Sequence, residues 1–169
     1  MKNDYETRAK KFIEEFFADI PDMKEALKIY GFFKWYTKKY NEEHHRHVKV
    51  ESGYTRVVFI TSDYVVKVDY KKGTFAGTSY KELCFYNKAK KDGMEYLFAK
   101  PTRYRFNGFS FYIMPRVTGI HPNSYRYADE YMSAKEYEWV QSHGLRDLHQ
   151  HNYGVVNGHP VIFDYACYD

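Results

Sequence analysis

Apolar residues recur at three- and four-residue steps through the N-terminal part of the chain, and the step then shortens to two. Tyr5, Ala9, Phe12, Ile13, Phe16, Phe17 and Ile20 form one stripe, which predicts a helix over residues 4–20 that ends at Pro21. A second helix is expected to open with Pro21 in its first turn and to carry Met23, Ala26, Leu27 and Tyr30 up to a stop at Gly31. Phe32, Phe33, Tyr36 and Tyr40 continue the helical period to about Glu43. From Val48 onward the runs are short, β-branched and aromatic. Val48–Val50, Arg56–Ile60 and Tyr64–Val68, separated by Gly53 and Ser62-Asp63, predict a three-stranded antiparallel meander. Residues 77–91 return to a helical period. Phe98–Phe106 and Phe109–Val117 predict a strand pair around Asn107-Gly108, a dipeptide suited to a tight hairpin turn. Residues 124–143 read as helix, and Val155-Val156 with Val161–Phe163 predict a last small hairpin around Asn157-Gly158.

Composition narrows the class. A chain of 169 residues is one domain or a small domain with an extension, and 44% hydrophobic content with interspersed charge suits a globular protein. Aromatic residues make up 20% of the chain, including 19 Tyr, so few side chains fill much of the core. The net charge of +4 arises from Lys, Arg, Asp and Glu mixed along the sequence. That pattern argues against a nucleic-acid stripe and suits a nucleotide or an acidic partner equally. Cys84 and Cys167 lie far apart without metal-type spacing, the usage of a reduced compartment. The charged N-terminus has no apolar signal core, and no run reaches membrane-spanning length. The expectation is therefore a cytoplasmic protein with no membrane partner. His44-His45-Arg46-His47 has no accompanying Cys or carboxylate pattern and reads as cationic helix-end chemistry rather than a metal site.

Five residues fit one chemistry. Lys67 lies inside the third predicted strand, flanked by Val66 and Val68, so it must point to the face opposite theirs, where it can reach phosphates. Glu82, in the following helix with Phe85 and Ala89 on its side, is expected at the edge of a packed face, placed to pair with Lys67. Asp147 would accept or orient the proton of an attacking hydroxyl, and Asn152 and Asp164 would hold a metal ion. The bland alternative for Asp147 and Asn152 is cap and turn chemistry, which both residue types favour.

Val65-Val66-Lys67-Val68, Leu145-Arg146-Asp147-Leu148-His149-Gln150-His151-Asn152 and Asp164-Tyr165-Ala166 resemble the strand Lys, the catalytic loop and the metal-binding Asp motif of the protein-kinase-like superfamily. The resemblance runs from Gly53 to the C-terminus, and the small size and motif spacing look most like the early protein kinases of short-tailed bacteriophages. It implies a minimal α+β kinase-like fold: a helical extension (1–47), a five-stranded antiparallel N-lobe (48–117) and a reduced helical C-lobe (118–169). It implies ATP and Mg²⁺ or Mn²⁺ as cofactors, with Asp147, Lys67 and Glu82 catalytic. Gly53, Arg56, Lys67, Met114, Arg116, Asn152 and Asp164 would line the nucleotide, Met114 and Arg116 in the hinge and Asn152 and Asp164 on the metal. The implied activity is ATP-dependent Ser/Thr protein phosphorylation, self included, with a protein substrate or host protein as partner, in host cytoplasm for a phage protein. The alternatives are a catalytically weak binding module docking on a host or regulatory protein, and a small-molecule phosphotransferase. The departures are a glycine loop with one glycine, Gly53, Tyr165-Ala166 in place of Phe-Gly, and no activation segment after Asp164.

Overall fold

In a computed structural model, which describes residues 4–70, 77–118, 127–146, 148, 151–156 and 159–165, the first apolar stripe folds as helix α1, Asp4–Ala18. It buries Ala9, Phe12, Ile13, Phe16 and Phe17. Helix α2, Met23–Lys28, begins one step later than expected. Asp22 is its cap, accepting the N–H groups of Lys24 at 2.9 Å and Glu25 at 3.1 Å, so Pro21 precedes the cap instead of lying in the first turn. Gly31, at φ 77°, turns the chain into α3, Phe32–His44. The Asn41 side chain then pairs with both backbone groups of Val48, at 2.8 and 3.0 Å, and fixes the connection into the sheet.

The sheet has five strands: β1 (Lys49–Ser52), β2 (Arg56–Ile60), β3 (Tyr64–Asp69), β4 (Thr102–Phe106) and β5 (Phe109–Pro115). Their order is β1-β2-β3-β5-β4 and every pairing is antiparallel. Asn107 and Gly108, at φ 48° and 77°, make the β4–β5 turn as their residue types predict. The strand expected from Phe98 starts only at Thr102, because Pro101 has no N–H for a ladder. Phe98 instead bridges Ile162, and Ala99 donates to the Ile162 carbonyl at 2.8 Å. Helix α4, Thr78–Lys91, follows β3. The helix expected over 124–143 is divided among its described residues into a 3-10 turn, Ala128–Tyr131, and α5, Ala134–Ser142. A capping box restarts it: Ser133 Oγ accepts the Glu136 N–H, and Glu136 Oε2 accepts the Ser133 N–H at 2.7 Å. Strands β6 (Tyr153–Val156) and β7 (His159–Ile162) form the last hairpin, whose expected turn residues Asn157-Gly158 lie outside the described residues.

The chain divides into two units, Met1–Ser79 with Thr102–Arg116, and Tyr80–Pro101 with Val117–Asp169. In the first, α1–α3 cover one face of the sheet. Val57, Phe59, Tyr64, Val66, Val68, Phe111 and Ile113 point into that core, alternating along each strand as the pleat requires. Phe59 is its hub, with ring centroids 5.1 Å from Phe16, 5.4 Å from Phe17 and 5.6 Å from Phe33. The second unit has its own aromatic core, in which Phe85, Phe98, Trp139 and Tyr165 meet at 5.0–6.0 Å. The architecture is α+β, an antiparallel five-stranded sheet with few helices among the described residues. Among the described residues no helix is long and apolar enough to cross a membrane.

Candidate functional site

The strand alternation that sends Val66 and Val68 into the helix-covered core sends Val65, Lys67 and Asp69 to the other face of the sheet. The same rule places Arg56, Val58 and Ile60 of β2 there, and Tyr112 and Met114 of β5, since Val57, Phe59, Phe111 and Ile113 face the helices. Pairing completes the pattern. Lys67 lies between Val58 and Tyr112, Val65 beside Met114, and Arg56 opposite Asp69. Arg56 and Lys67 are thus diagonal neighbours, about 7–8 Å apart for such positions. Lys67 is 5% and Arg56 6% exposed, well inside the range where cations are rare. Aliphatic side chains beside two buried cations on one face are what a purine nucleotide requires: flat apolar contact for the base, positive charge for the phosphates.

One anchor of this face went unread in the sequence. The Asp69 carboxylate accepts the Ser79 N–H at 2.9 and 3.1 Å and the Ser79 hydroxyl at 2.5 Å. It caps the first turn of α4 from the end of β3, and Arg56 reaches the same Ser79 hydroxyl at 3.5 Å. Asp69 and Ser79 lie ten positions apart with no periodic signal between them. Only a helix start shortly after a strand-ending Asp hints at the pairing.

Two expected nucleotide contacts have other engagements. Arg116 donates its backbone N–H to the Asp63 carbonyl at 2.9 Å and its guanidinium to the Thr61 carbonyl at 2.7 Å, which ties it to the β2–β3 turn. The Gly53 N–H closes the β1–β2 turn on the Arg56 carbonyl at 2.9 Å. Gly53 has no positive φ, and an added Cβ would meet only the Arg56 carbonyl at 3.4 Å, so this turn does not demand glycine.

In the second unit the hairpin β6–β7 sets two residues side by side. Tyr153 pairs with Ile162, so Asn152 and Phe163–Asp164 flank the open end. The Asn152 carbonyl accepts the N–H of Phe163 at 2.8 Å and of Asp164 at 3.4 Å. Asn152 is buried and Asp164 half-buried. Gly154 lets the chain at Thr118 pass close to β6: a Cβ there would lie 2.3 Å from the Thr118 carbonyl oxygen. Glu82 is wholly buried, deeper than the edge position expected, and accepts the Tyr165 N–H at 3.4 Å. The Tyr165 hydroxyl donates to the Ala99 carbonyl at 2.8 Å while its ring packs on Phe85 and Phe98, so this residue is held at both ends. Leu145 and Leu148 are buried. Asp147 and His149 of the expected catalytic loop lie outside the described residues, as do Ala166 and Cys167.

The structure therefore brings together Arg56, Lys67 and Met114 in one unit and Glu82, Asn152 and Asp164 in the other. Among the described residues no group of three or more His, Cys, Asp or Glu side chains converges. Asn152 and Asp164 offer an amide oxygen and a carboxylate, hard donors. Such a pair suits Mg²⁺, which keeps several waters and completes its shell with phosphate oxygens.

No protein-family model matches the chain, and no curated protein does. Among solved structures it is similar to an aminoglycoside phosphotransferase, in the gentamicin-APH(2")-IIa complex. The two share 20% identity over 59% of this chain and 32% of that one, with a TM-score of 0.33. The chain thus spans about a third of that structure's length.

Proposed function

We propose that this chain is an Mg-ATP-dependent phosphotransferase whose acceptor is a hydroxyl group, Ser or Thr on protein, its own chain included. The observation that carries the reading is the burial of Lys67 on the face of the sheet opposite α1–α3, beside Arg56 and among Val58, Val65 and Met114. In this reading the base lies against the aliphatic side chains, the main chain at Met114 and the Arg116 carbonyl hold its edge, and Lys67 and Arg56 meet the phosphates. Glu82 orients Lys67, a role taken from the sequence resemblance, and the Gly53 turn covers the phosphates. The acceptor oxygen attacks the γ-phosphorus in line while the bond to the β-phosphate oxygen breaks. The acceptor proton passes to Asp147, and ADP leaves. Asn152 and Asp164 would hold Mg²⁺, which supplies neutralisation of charge on the β- and γ-phosphates.

A second reading is favoured by the β1–β2 turn. With one glycine, whose N–H is already engaged, few backbone amides remain to close on phosphates. That suits a kinase-like binding module acting through a host or regulatory protein.

Purified protein incubated with γ-labelled ATP and Mg²⁺ or Mn²⁺, alone and with cell lysate, tests both, beside Asp147→Asn and Asp164→Ala. Label on protein with the wild type and not with the variants supports the kinase. Label confined to small molecules would move the acceptor to a metabolite. A nucleotide-induced rise in melting temperature without transfer selects the binding module, and neither signal removes the nucleotide reading altogether.

A further inference from the structure

A concavity lies in the first unit, on the helix-covered side of the sheet and opposite the Lys67 face. It is a cavity of about 770 Å³ between α1, the α3–β1 connection and the β2–β3 turn. That volume is in the range of small-molecule sites. Its floor is aromatic and apolar: Phe12, Tyr40, Val48 and Tyr64 line it, none more than 7% exposed. The Phe12 ring stands 5.7 Å from Tyr40 and 6.3 Å from Tyr64.

Polar groups of both signs surround this floor, with basic side chains in excess. The basic side chains Arg8, Lys11 and Arg46 stand on its walls with His45 and His47, faced by the carboxylates Glu15 and Asp63. The carboxylates have partners. Asp63 accepts from the Arg8 guanidinium at 2.9 Å; Glu15 accepts the Tyr40 hydroxyl at 3.3 Å and stands 3.7 Å from Lys11. Arg46 acts on the hydroxyls of Tyr40 and Tyr64, opposing part of the upward push that burial gives both. Both phenols are pushed up to about 12, so each stays a proton donor at neutral pH.

We infer that this cavity binds an aryl phosphate, its ring seated on the Phe12 and Val48 side chains and its phosphate received by Arg46 with Lys11. Arginine suits the task, since its planar fork takes two phosphate oxygens. The aromatic floor selects a flat ring over the bare ion. The phosphate would come from a free small molecule or from a phosphotyrosine side chain. The site stands apart from the nucleotide reading and does not depend on it.

The test is titration calorimetry of the full chain with phenyl phosphate, with phenol, inorganic phosphate and a short phosphotyrosine peptide as parallel arms. Saturable phenyl phosphate binding is expected, at least tenfold tighter than phenol or phosphate, weakened tenfold or more by Arg46→Ala and by Lys11→Ala. Both side chains are exposed, so circular dichroism should show both variants folded. A peptide bound more tightly than phenyl phosphate identifies a protein side chain as the source, and the reverse a free metabolite. Amide shifts should cluster on α1 and the β2–β3 turn. No saturable binding, inorganic phosphate bound as tightly as phenyl phosphate, or variants that bind like the wild type would each overturn the assignment.

Discussion

Asp69→Ala should loosen the junction between β3 and α4 by a predictable amount. The substitution removes two hydrogen bonds at once, from the Ser79 N–H at 2.9 Å and from the Ser79 hydroxyl at 2.5 Å, and Ser79 is wholly buried. A lost side-chain cap costs about 1 kcal/mol. The hydroxyl bond to a charged acceptor adds about 1.5–2 kcal/mol, because no water replaces it at a buried donor. The expected loss is about 3 kcal/mol, which at a urea slope of about 2 kcal/mol/M lowers the midpoint by roughly 1.5 M. Amide exchange at Ser79 should accelerate about 100-fold, since each 1.4 kcal/mol is tenfold. Asp69→Asn keeps an acceptor oxygen in place and should cost only about 1 kcal/mol. An Asp69→Ala protein within about 0.5 kcal/mol of the wild type would refute the reasoning, as would an Asn variant as unstable as the Ala variant.

Other outcomes follow from the same geometry. Phe59→Ala empties the hub of the first unit and should cost about 3–5 kcal/mol in urea denaturation, a large share of the stability of a domain. Tyr165→Phe keeps the ring packing but abandons the Ala99 carbonyl, for a loss of about 1–2 kcal/mol in the same assay. Gly154→Ala forces its Cβ against the Thr118 carbonyl and should destabilise by about 1–3 kcal/mol, with shifted amide resonances across β6 and β7. In alkali, Tyr40 and Tyr64 (raised mainly by burial) and Tyr96 (raised mainly by its bond to Glu136) titrate near pH 12, against 10 for a free phenol. Their stabilising contribution is therefore complete below pH 10 and lost between 10 and 12, so phenolate absorbance from these three should appear together with unfolding.

Much of this fold could be read from residue order because local and tertiary preferences agree. The run Arg56–Ile60 is a strand with the expected limits, since its β-branched and aromatic residues alternate between two faces. The Asn107-Gly108 turn lies where its dipeptide predicts. The direction of Lys67 followed from its neighbours alone. Misreadings arose where a single residue overrode a pattern. Pro101 withheld an N–H from the run beginning at Phe98, and Ser133 with Glu136 restarted a helix in the middle of a helical period. The depth of Glu82 was out of reach for a different reason: a helical wheel gives direction and not how much chain lies over that side. Asp69 and Ser79 were missed because their pairing crosses a loop and leaves no periodic trace.

The aromatic hub also bears on how the chain is made. Phe16 and Phe17 of α1 rest on Phe59 and Phe111, while Glu6 and Glu14 of the same helix receive Thr102 and Tyr104, 96 and 90 positions further on. Translation at about 5–20 residues per second delivers β5 roughly 5–20 s after α1 leaves the ribosome. Throughout that interval the phenylalanine stripe of α1 lacks its partners from β4 and β5. The nascent chain is thus a natural client for holding chaperones, and its yield in cells should depend on them more than the stability of the finished fold would suggest.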